Sequence, residues 1–433
     1  MSHALSYDAL RQVVVEQQQE AKHLQTLDLV ERDKIDKLKE VIDKNWIKVI
    51  IGIRRCGKSI FGHQGLKNKE YGYLNFDDER LIGLSSQDLN KMLQFLIELK
   101  PGLKILFFDE IQNVDGWELF VNRLQRQGYN LVVTGSNSKL LSKELATHLT
   151  GRYVSIELTP FSFHEFLRAK KFQWTATSLY TTQNRAAVYV LLNEYLCTGG
   201  FPDMVVGGYY APYLRELYDK IISRDITYRY RVKYSNTLKE IAIYSHANLG
   251  SRLTFHKVKN IFDIKSIHTV KNYYQYLMDA YLVFLVNSFS FKHKELVKQP
   301  RKVYSIDNGF SAAVNPKFTQ NQGTSLENLV FQEIYRREEG FSYFATPDCE
   351  VDFVLHQEKK VTCLIQVSWS IADPDTRKRE VKALVTASKQ LRCKDLFIIT
   401  YEEEESLEVE DMKIEVIPIW KWLLKSYSTE SSF

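Results

Sequence analysis

One short run near the start of the chain restricts its fold more than any other feature. From Gly52 to Ser59 the sequence reads Gly-Ile-Arg-Arg-Cys-Gly-Lys-Ser, which fits the pattern G-x-x-x-x-G-K-[ST] with no departure. The apolar residues 47–51, interrupted only by Lys48, predict a buried strand before it, and the chain after Ser59 can continue as a helix. Such a strand–turn–helix unit aims backbone N–H groups and the positive helix end at phosphate oxygens. The run therefore predicts a phosphate-binding loop in an α/β core.

The loop pattern assigns a role to each part of a bound nucleotide. Lys58 would reach the β- and γ-phosphates of ATP, and the Ser59 hydroxyl would hold Mg²⁺. Arg54 and Arg55 are unusual in phosphate loops and could reach phosphates or an acidic neighbour across a subunit boundary. The residues expected to line the ATP site are Gly52, Ile53, Arg54, Arg55, Cys56, Gly57, Lys58, Ser59 and Ile60.

A second pattern follows the first at a distance suited to the same site. Residues 105–108 are apolar and are followed by Asp109 and Glu110. A buried parallel strand delivers carboxylates from its C-terminal end, where ligands of open α/β sheets bind. Alone, such a run is more often a strand that enters a surface turn. Paired with the phosphate loop, it predicts Asp109 as a Mg²⁺ ligand, directly or through water, and Glu110 as the group that polarises the attacking water.

Composition limits the class of protein. With 433 residues the chain is too long for one core, and 44% hydrophobic with 26% charged residues is typical of a globular protein. The net charge of +5 permits a nucleic-acid surface without demanding one. Five scattered cysteines favour a reducing compartment, and no stretch has the character of a signal peptide or membrane span. We therefore expect a cytoplasmic protein without a membrane partner.

Several motifs together resemble one known family. They are the loop at 52–59, Asp-Glu-Ile-Gln at 109–112, Thr-Gly-Ser at 134–136, Gly-Arg at 151–152 and Pro-Phe-Ser-Phe-x-Glu-Phe at 160–166. In this order they resemble a large prokaryotic family of AAA+-type ATPases that carry a C-terminal domain of unknown function. The similarity covers nearly the whole chain from about residue 30. It implies an α/β fold with a P-loop AAA+-like core.

The resemblance also implies an assembly and further contacts. AAA+ proteins sense the γ-phosphate with a polar residue after a central strand, for which Thr134, Ser136 and Asn137 are candidates. An arginine from one subunit of a homo-oligomer commonly completes the neighbouring site, and Arg152 is the candidate here. A surface salt bridge is at least as good an interpretation of a lone arginine.

The chain divides into five predicted regions. Residues 1–45 would form N-terminal helices, residues 46–159 the P-loop ATPase core and residues 160–232 a helical lid. Residues 233–306 would form a winged helix and residues 307–433 an endonuclease-like α/β domain. In the lid, Arg224 and Arg229 are secondary candidates for nucleotide or subunit contacts, although a solvated helix face is the better interpretation of each one separately.

The predicted winged helix is the most basic part of the chain. Helices are expected at 238–247, 255–262 and 268–277, strands at 282–291 and 302–306, and a wing at 292–294. The basic residues are Lys257, Lys259, Lys265, His268, Lys271, Lys292, Lys294, Lys298, Arg301 and Lys302. They would suit DNA phosphates, with the third helix in the major groove. Winged helices also serve as structural or protein-binding units, so this alternative stays open.

The last region has an incomplete set of nuclease residues. Glu327 on a helix and Asp352 on a strand match the restriction-endonuclease-like layout, in which carboxylates gather Mg²⁺ and a lysine activates water. The next strand carries Gln366 and Ser368 where a carboxylate and the lysine are needed. We therefore expect the fold without nuclease activity.

Two functions remain. One is an ATPase that acts on or with DNA, using ATP and Mg²⁺ to drive a conformational change. The other is an ATP-driven switch or scaffold that binds protein partners and is indifferent to DNA.

Overall fold

The structure of the protein is a computed structural model that describes residues 6–136, 152–208, 210–291, 299–315, 317–358 and 360–425. The chain forms two compact units, Met1–Thr159 and Pro160–Phe433. No helix in the described part of the chain combines the length and the apolar character that crossing a membrane requires.

The first unit is built on a parallel sheet. Its strands are β1 (Ile47–Gly52), β2 (Gly72–Asn75), β3 (Ile105–Asp109), β4 (Asn130–Gly135) and β5 (Tyr153–Leu158). Their order across the sheet is β2–β3–β4–β1–β5, and each adjacent pair is parallel. The chain therefore brings the ends of β1, β3 and β4 to one edge. Strand β1 is buried along its whole length, which explains why its sequence is apolar apart from Lys48 and does not alternate.

Helices cover both faces of this sheet. They are α1 (Tyr7–Thr26), α2 (Ile35–Val41), α3 (Lys58–Gly65), α4 (Asp88–Leu99) and α5 (Trp117–Arg126). The N-terminal residues that were predicted to be helical form α1 and α2, with an irregular segment at 27–34 between them. Helix α1 also covers β2, the outermost strand on one side of the sheet. Gln18 and Gln17 accept hydrogen bonds from the backbone N–H groups of Tyr73 and Asn75 in that strand.

The second unit begins with helices. They are α6 (Phe163–Ala169), α7 (Thr182–Thr198), α8 (Pro202–Gly207), α9 (Ala211–Lys220) and a π-helix, Ile221–Tyr228. The motif at 160–166 is explained by a capping box, in which Ser162 and Glu165 each accept a hydrogen bond from the other's backbone N–H. The break after α7 needs glycine, because a Cβ on Gly200 would lie 2.3 Å from the Phe161 carbonyl oxygen.

Helices and a small sheet follow. The helices are α10 (Ser235–Ala247), α11 (Phe255–Ile261) and α12 (Ile267–Asp279), and the strands are β6 (Arg252–Leu253), β7 (Val283–Asn287) and β8 (Arg301–Ser305). Among the described residues, β8 is central and antiparallel to both neighbours. The expected strand at 282–291 is shorter than predicted, and β6 was not predicted. The expected wing at 292–294 lies outside the described residues.

The unit ends in a mixed sheet. Its strands are β9 (Phe341–Ala345), β10 (Glu350–Gln357), β11 (Lys360–Val367), β12 (Leu396–Thr400), β13 (Glu405–Val409) and β14 (Met412–Pro418). The order is β13–β14–β12–β11–β10–β9. The helices of this region are α13 (Asn308–Val314), α14 (Gln322–Arg336), α15 (Pro374–Leu391) and α16 (Ile419–Lys425).

Candidate nucleotide site

The predicted phosphate loop joins β1 to α3, and its backbone explains both glycines. Gly52 ends β1 with φ 149°, and a Cβ there would lie 2.1 Å from the Leu158 carbonyl oxygen. Gly57 precedes α3 with φ 93°, a conformation that other residues adopt at a cost. The loop therefore turns tightly against β5 and leads directly into the N-terminus of the helix.

Arg32 holds this loop in place and was missed by the sequence analysis. Its guanidinium is buried and donates to the carbonyl oxygens of Cys56 at 2.8 Å and Thr159 at 2.7 Å. Arg32 thus ties the loop to the end of β5. Nothing in the local sequence distinguishes it, because both acceptors are backbone atoms far along the chain.

Lys58 is the first residue of α3, and its ammonium group is buried. Its Nζ donates to the Ile53 carbonyl oxygen at 3.2 Å and lies 3.3 Å from Glu110 Oε1. Burial alone would lower the pKa of Lys58, but Glu110, Cys56 and Asp109 together outweigh the effect of burial and the pKa is raised. The lysine therefore stays charged in the position that faces the strand ends.

The side chains of Ser59 and Asp109 contact each other. The Ser59 hydroxyl hydrogen-bonds to the Asp109 carboxylate, which also accepts from Thr134 Oγ1 and, at 3.1 Å, from Tyr73 OH. Burial, followed by repulsion from Glu110, raises the pKa of Asp109. A hydroxyl beside a carboxylate at a strand end is a donor set that suits Mg²⁺, so these residues fit the predicted ion.

Glu110 follows Asp109 with a left-handed backbone, φ 50°, which turns its side chain toward Lys58. Its backbone N–H donates to Thr134 Oγ1 at 2.9 Å, and Gln112 Nε2 donates to its Oε2 at 2.5 Å. Burial would raise the pKa of Glu110, but Lys58, Arg54 and Gln112 outweigh it and lower the pKa. Glu110 is therefore an ionised acceptor held at a fixed position.

The other loop residues divide into backbone and side-chain contributors. The side chains of Ile53 and Cys56 are buried beneath the loop, and burial raises the pKa of the Cys56 thiol, so both can offer a ligand only their backbone. Arg54 pairs with Asp77 at 3.3 Å, a partner that the sequence analysis did not assign. Arg55 is exposed, and Ile60 is half-buried.

The γ-phosphate sensor candidates separate in the structure. Thr134 is engaged with Asp109 and Glu110, whereas Ser136 Oγ is buried with no hydrogen-bond partner among the described residues. Asn137, predicted to contact ATP, lies outside the described residues. Ser136 is thus the described candidate with a hydrogen-bonding atom still available.

Arg152 does not join this cluster. It is exposed and directly precedes β5, where Tyr153 pairs with Ile47 at the start of β1, and its carbonyl oxygen accepts from Ile47. The phosphate loop follows the other end of β1, Gly52, roughly 16 Å away for a strand of this length. Arg152 therefore lies too far along the sheet to reach a nucleotide in its own subunit.

The predicted DNA surface in the second unit needs one correction. Lys302 is 1% exposed, so it cannot contact DNA, and Arg301 is half-buried beside the Phe255 ring at 4.9 Å. Lys259 is half-buried, and the exposed candidates are Lys257, Lys265, His268 and Lys271. Lys292, Lys294 and Lys298 lie outside the described residues.

Lys302 instead forms ion pairs with three carboxylates of the endonuclease-like region. Its Nζ lies 3.0 Å from Glu327 Oε1, 2.9 Å from Glu350 Oε1 and 2.6 Å from Asp352 Oδ1. Burial would lower the pKa of Lys302, but these carboxylates, led by Asp352, raise it well above its ordinary value. Glu327 and Asp352 do approach each other as expected, and a lysine that was assigned to the surface joins them.

The side chains of Gln366 and Ser368 hydrogen-bond to other groups of the protein. Gln366 accepts from the Asp352 backbone N–H at 3.2 Å and donates to Glu380, while the Ser368 hydroxyl donates to the Ser370 carbonyl oxygen at 2.8 Å. The pocket beside this cluster has a volume of about 820 Å³. The carboxylates of Glu327, Glu350 and Asp352 therefore already pair with a protein donor, Lys302.

Comparison with known proteins identifies the family. An AAA domain matches residues 44–167, and two domains of unknown function, DUF8612 and DUF4143, match residues 190–321 and 322–422. The uncharacterized protein MJ1544 of Methanocaldococcus jannaschii is 39% identical over 88% of this chain and 88% of its own. The chain belongs to this family of P-loop, AAA+-type ATPases with C-terminal domains of unknown function.

A second relative and a solved structure are also similar to this AAA+-type ATPase. An uncharacterized protein of Haemophilus influenzae is 31% identical over 88% of this chain and 95% of its own. Among solved structures, the Walker-type ATPase paby2304 of Pyrococcus abyssi is 16% identical, with a TM-score of 0.46, over 66% of this chain and 96% of that chain. The α/β fold with a P-loop core, expected from the sequence, is confirmed.

Proposed function

We propose that this protein binds ATP with Mg²⁺ and hydrolyses it, coupling hydrolysis to a conformational change. The observation that carries the proposal is the convergence of Lys58, Ser59, Asp109 and Glu110 at one edge of the parallel sheet. These residues come from two separate motifs, and their side chains contact one another directly. Membership of an ATPase family supports the same chemistry.

Each residue has a separate task in this proposal. The loop backbone and Lys58 bind the β- and γ-phosphates and offset their negative charge. The Glu110 carboxylate accepts a hydrogen bond from water and orients it in line with the γ-phosphorus. Attack forms a bond from the water oxygen to phosphorus and breaks the bond to the β-phosphate oxygen, releasing ADP and phosphate. The water proton passes toward Glu110, whose lowered pKa keeps it ionised and able to accept.

Ser59 and Asp109 would hold Mg²⁺. The ion, when bound, supplies positive charge to the phosphate oxygens as negative charge develops on them. Tyr73 and Thr134 fix the carboxylate of Asp109 by hydrogen bonds, so the chain itself determines where that carboxylate points.

The coupling to conformation follows from the Lys58–Glu110 ion pair. Triphosphate oxygens compete with Glu110 for Lys58, so binding would release Glu110 toward the γ-phosphate. The backbone N–H of Glu110 also donates a hydrogen bond to the hydroxyl of Thr134, at the end of β4. We therefore propose that this strand end, with Ser136, responds to the nucleotide.

The test of the ATPase is a measurement of phosphate release with wild type, Lys58→Ala and Glu110→Gln. We expect Lys58→Ala to lose ATP binding and Glu110→Gln to keep binding and lose turnover. Hydrolysis that is unchanged in Glu110→Gln, or ATP binding that is unchanged in Lys58→Ala, would contradict the assignment.

We further propose that the helices α10–α12 with strands β6–β8 form a winged helix that contacts DNA. The order of these elements and the central position of β8 support this arrangement, and His268 and Lys271 lie exposed on its third helix. Charge reversal at Lys271 should weaken duplex binding, whereas charge reversal at the exposed Lys39, in the first unit, should leave it unchanged. If DNA neither binds nor stimulates hydrolysis, the alternative of a protein-partnered switch is favoured.

We also propose a homo-oligomer in which Arg152 serves the site of a neighbouring subunit. Its position at the edge opposite the phosphate loop supports an action between subunits over one within the subunit. For the endonuclease-like region we propose a structural role, because its three carboxylates are already engaged by protein cations. Lys302 pairs with Glu327, Glu350 and Asp352, and Arg252 also pairs with Glu350.

A further inference from the structure

A short segment of the second unit combines tyrosines and cations in alternation. Residues 228–234 read Tyr-Arg-Tyr-Arg-Val-Lys-Tyr, and no Asp or Glu occurs between residues 226 and 239. We name residues 228–234 the tyrosine–arginine turn. Apart from Arg229, a secondary candidate for nucleotide or subunit contacts, the turn belongs neither to the nucleotide site nor to the proposed winged-helix surface, so its composition needs a separate explanation.

The ends of this turn are displayed to solvent. Tyr228 is 84% exposed and Tyr234 is 62% exposed, and the side chains of Arg231 and Lys233 are exposed as well. Single exposed hydrophobic residues are ordinary on a folded surface, but contiguous patches of them often mark interaction sites. Two tyrosine rings and two cations are therefore presented together.

The turn is held rigidly at its base. Tyr230 stacks face to face on Tyr276 of α12, with ring centroids 4.0 Å apart and an interplanar angle of 15°, and its hydroxyl donates to Asp279 at 3.0 Å. Arg231 adopts a left-handed φ of 49°, and the Val232 N–H closes the turn on the Thr227 carbonyl oxygen at 3.0 Å. This anchoring fixes the backbone between the two exposed tyrosines, so the turn itself needs little ordering when it binds.

The turn follows a π-helix and carries one buried donor without a partner. The π-helix Ile221–Tyr228 ends at the first tyrosine, and π-helical segments frequently occur at functional sites. Arg229 Nη1 is buried with no hydrogen-bond partner among the described residues, although Arg229 itself is half-buried. A buried guanidinium nitrogen without an acceptor is costly unless a ligand oxygen satisfies it.

We propose that the tyrosine–arginine turn binds single-stranded nucleic acid. Exposed aromatic rings stack on unpaired bases, while interleaved cations contact the phosphates between them. A duplex hides its base faces, so it offers nothing to Tyr228 and Tyr234. Of the nearby acids, Asp279 is buried and Asp219 pairs with Lys239 at 2.7 Å. The inference extends the nucleic-acid part of the proposed function by naming a surface and a strand state.

The test is fluorescence anisotropy of labelled oligo(dT) and of a duplex with the full chain, without nucleotide. Tyr228→Ala/Tyr234→Ala should weaken oligo(dT) binding by about tenfold or more and leave duplex binding unchanged. Tyr228→Phe/Tyr234→Phe should bind like wild type, because the stacking faces are kept. Tyr210→Ala, a substitution of a tyrosine that is 61% exposed outside the turn, is the matched control and should have no effect.

The cations are tested by salt dependence. For a single strand each phosphate contact contributes a slope of about 0.7 in log affinity against log salt, so Arg231→Gln/Lys233→Gln should lower the slope by about 1.4. Oligo(dT) binding that is unchanged in the double alanine variant would overturn the proposal, as would duplex binding without single-strand binding. Self-association that is lost in that variant, without oligo(dT) binding, would assign the surface to a second copy of the chain. ATP hydrolysis without any DNA binding would overturn both DNA proposals and leave the ATPase intact.

Discussion

Lys58 Nζ lies 3.3 Å from Glu110 Oε1, so the two residues expected to act on opposite sides of the γ-phosphate contact each other directly. Both side chains are largely buried, and each supplies the charge that the other needs there. Triphosphate oxygens are stronger partners for Lys58 than one carboxylate. Nucleotide binding and the release of Glu110 are thereby linked through one ion pair.

The first prediction concerns Glu110. Substitution of Glu110 by Gln removes the charge that competes with phosphate for Lys58, so ATP should bind at least as tightly as in wild type. Turnover should fall by roughly 10²- to 10⁴-fold, the usual contribution of a positioned base. Equilibrium binding and phosphate release measure the two effects, with Glu98→Gln on the exposed face of α4 as control. Equal losses of binding and turnover would contradict the separation of roles.

The strands and the loop that form the site could be predicted from the sequence, because each is marked by residues that are close together in the chain. Strands β1, β3 and β5 are short apolar or alternating runs bounded by polar residues, and both glycines of the loop are required by its own backbone. The contact of Lys58 with Glu110 follows once β1 and β3 belong to the same parallel sheet.

The remaining interactions depend on residues that are distant in sequence. Arg32 bonds to backbone atoms 24 and 127 residues away, and carbonyl oxygens leave no trace in side-chain identity. Lys302 was assigned to a surface because lysine is usually exposed, yet its partners Glu327 and Asp352 lie 25 and 50 residues further on. Only the packing of the strands and helices reveals that their charges converge.

The second prediction tests Arg32 as the anchor of the phosphate loop. Arg32→Met removes two hydrogen bonds that a charged donor makes to backbone carbonyl oxygens, a loss of about 2–4 kcal/mol in the free energy of unfolding. The loop would also lose its position, so the KM for ATP should rise more than kcat falls. Arg11→Met, at an exposed position of α1, is the control. A normal KM in a folded Arg32→Met variant would exclude the anchoring role.

The third prediction concerns Arg152. Since it lies at the edge of the sheet opposite the phosphate loop, any catalytic effect must come from a neighbouring subunit. Arg152→Ala and Glu110→Gln should each be nearly inactive, and mixing the two proteins should restore part of the activity. Arg126→Ala, an exposed substitution at the end of α5, should be fully active. Full activity of Arg152→Ala would show that this arginine serves the surface alone.

The fourth prediction is a dependence of stability on pH. Burial lowers the pKa of His63 from 6.5 to about 4, so the folded chain keeps this ring neutral while the unfolded chain takes up a proton below pH 6.5. Stability should therefore fall as the pH drops from 6.5 toward 4, by about 1.4 kcal/mol per pH unit from this group. His63→Gln should reduce that slope by one proton in urea unfolding at several pH values. The exposed His256→Gln is the control, and an unchanged slope in His63→Gln would refute the prediction.

The fifth prediction tests the charge balance around Lys302. Lys302→Met leaves Glu327, Glu350 and Asp352 without their shared cation, which should lower the free energy of unfolding by about 3–5 kcal/mol at neutral pH. Because Lys302 lowers the pKa of Glu327 and of Glu350, its removal raises the pKa of both groups in the folded chain, so the deficit should shrink as the pH falls and these two groups take up protons. Adding Asp352→Asn should recover part of the loss, whereas Lys389→Met, which removes an exposed pair with Glu410, should cost little. A Lys302→Met variant as stable as wild type at every pH would mean that water, and not Lys302, balances the three charges.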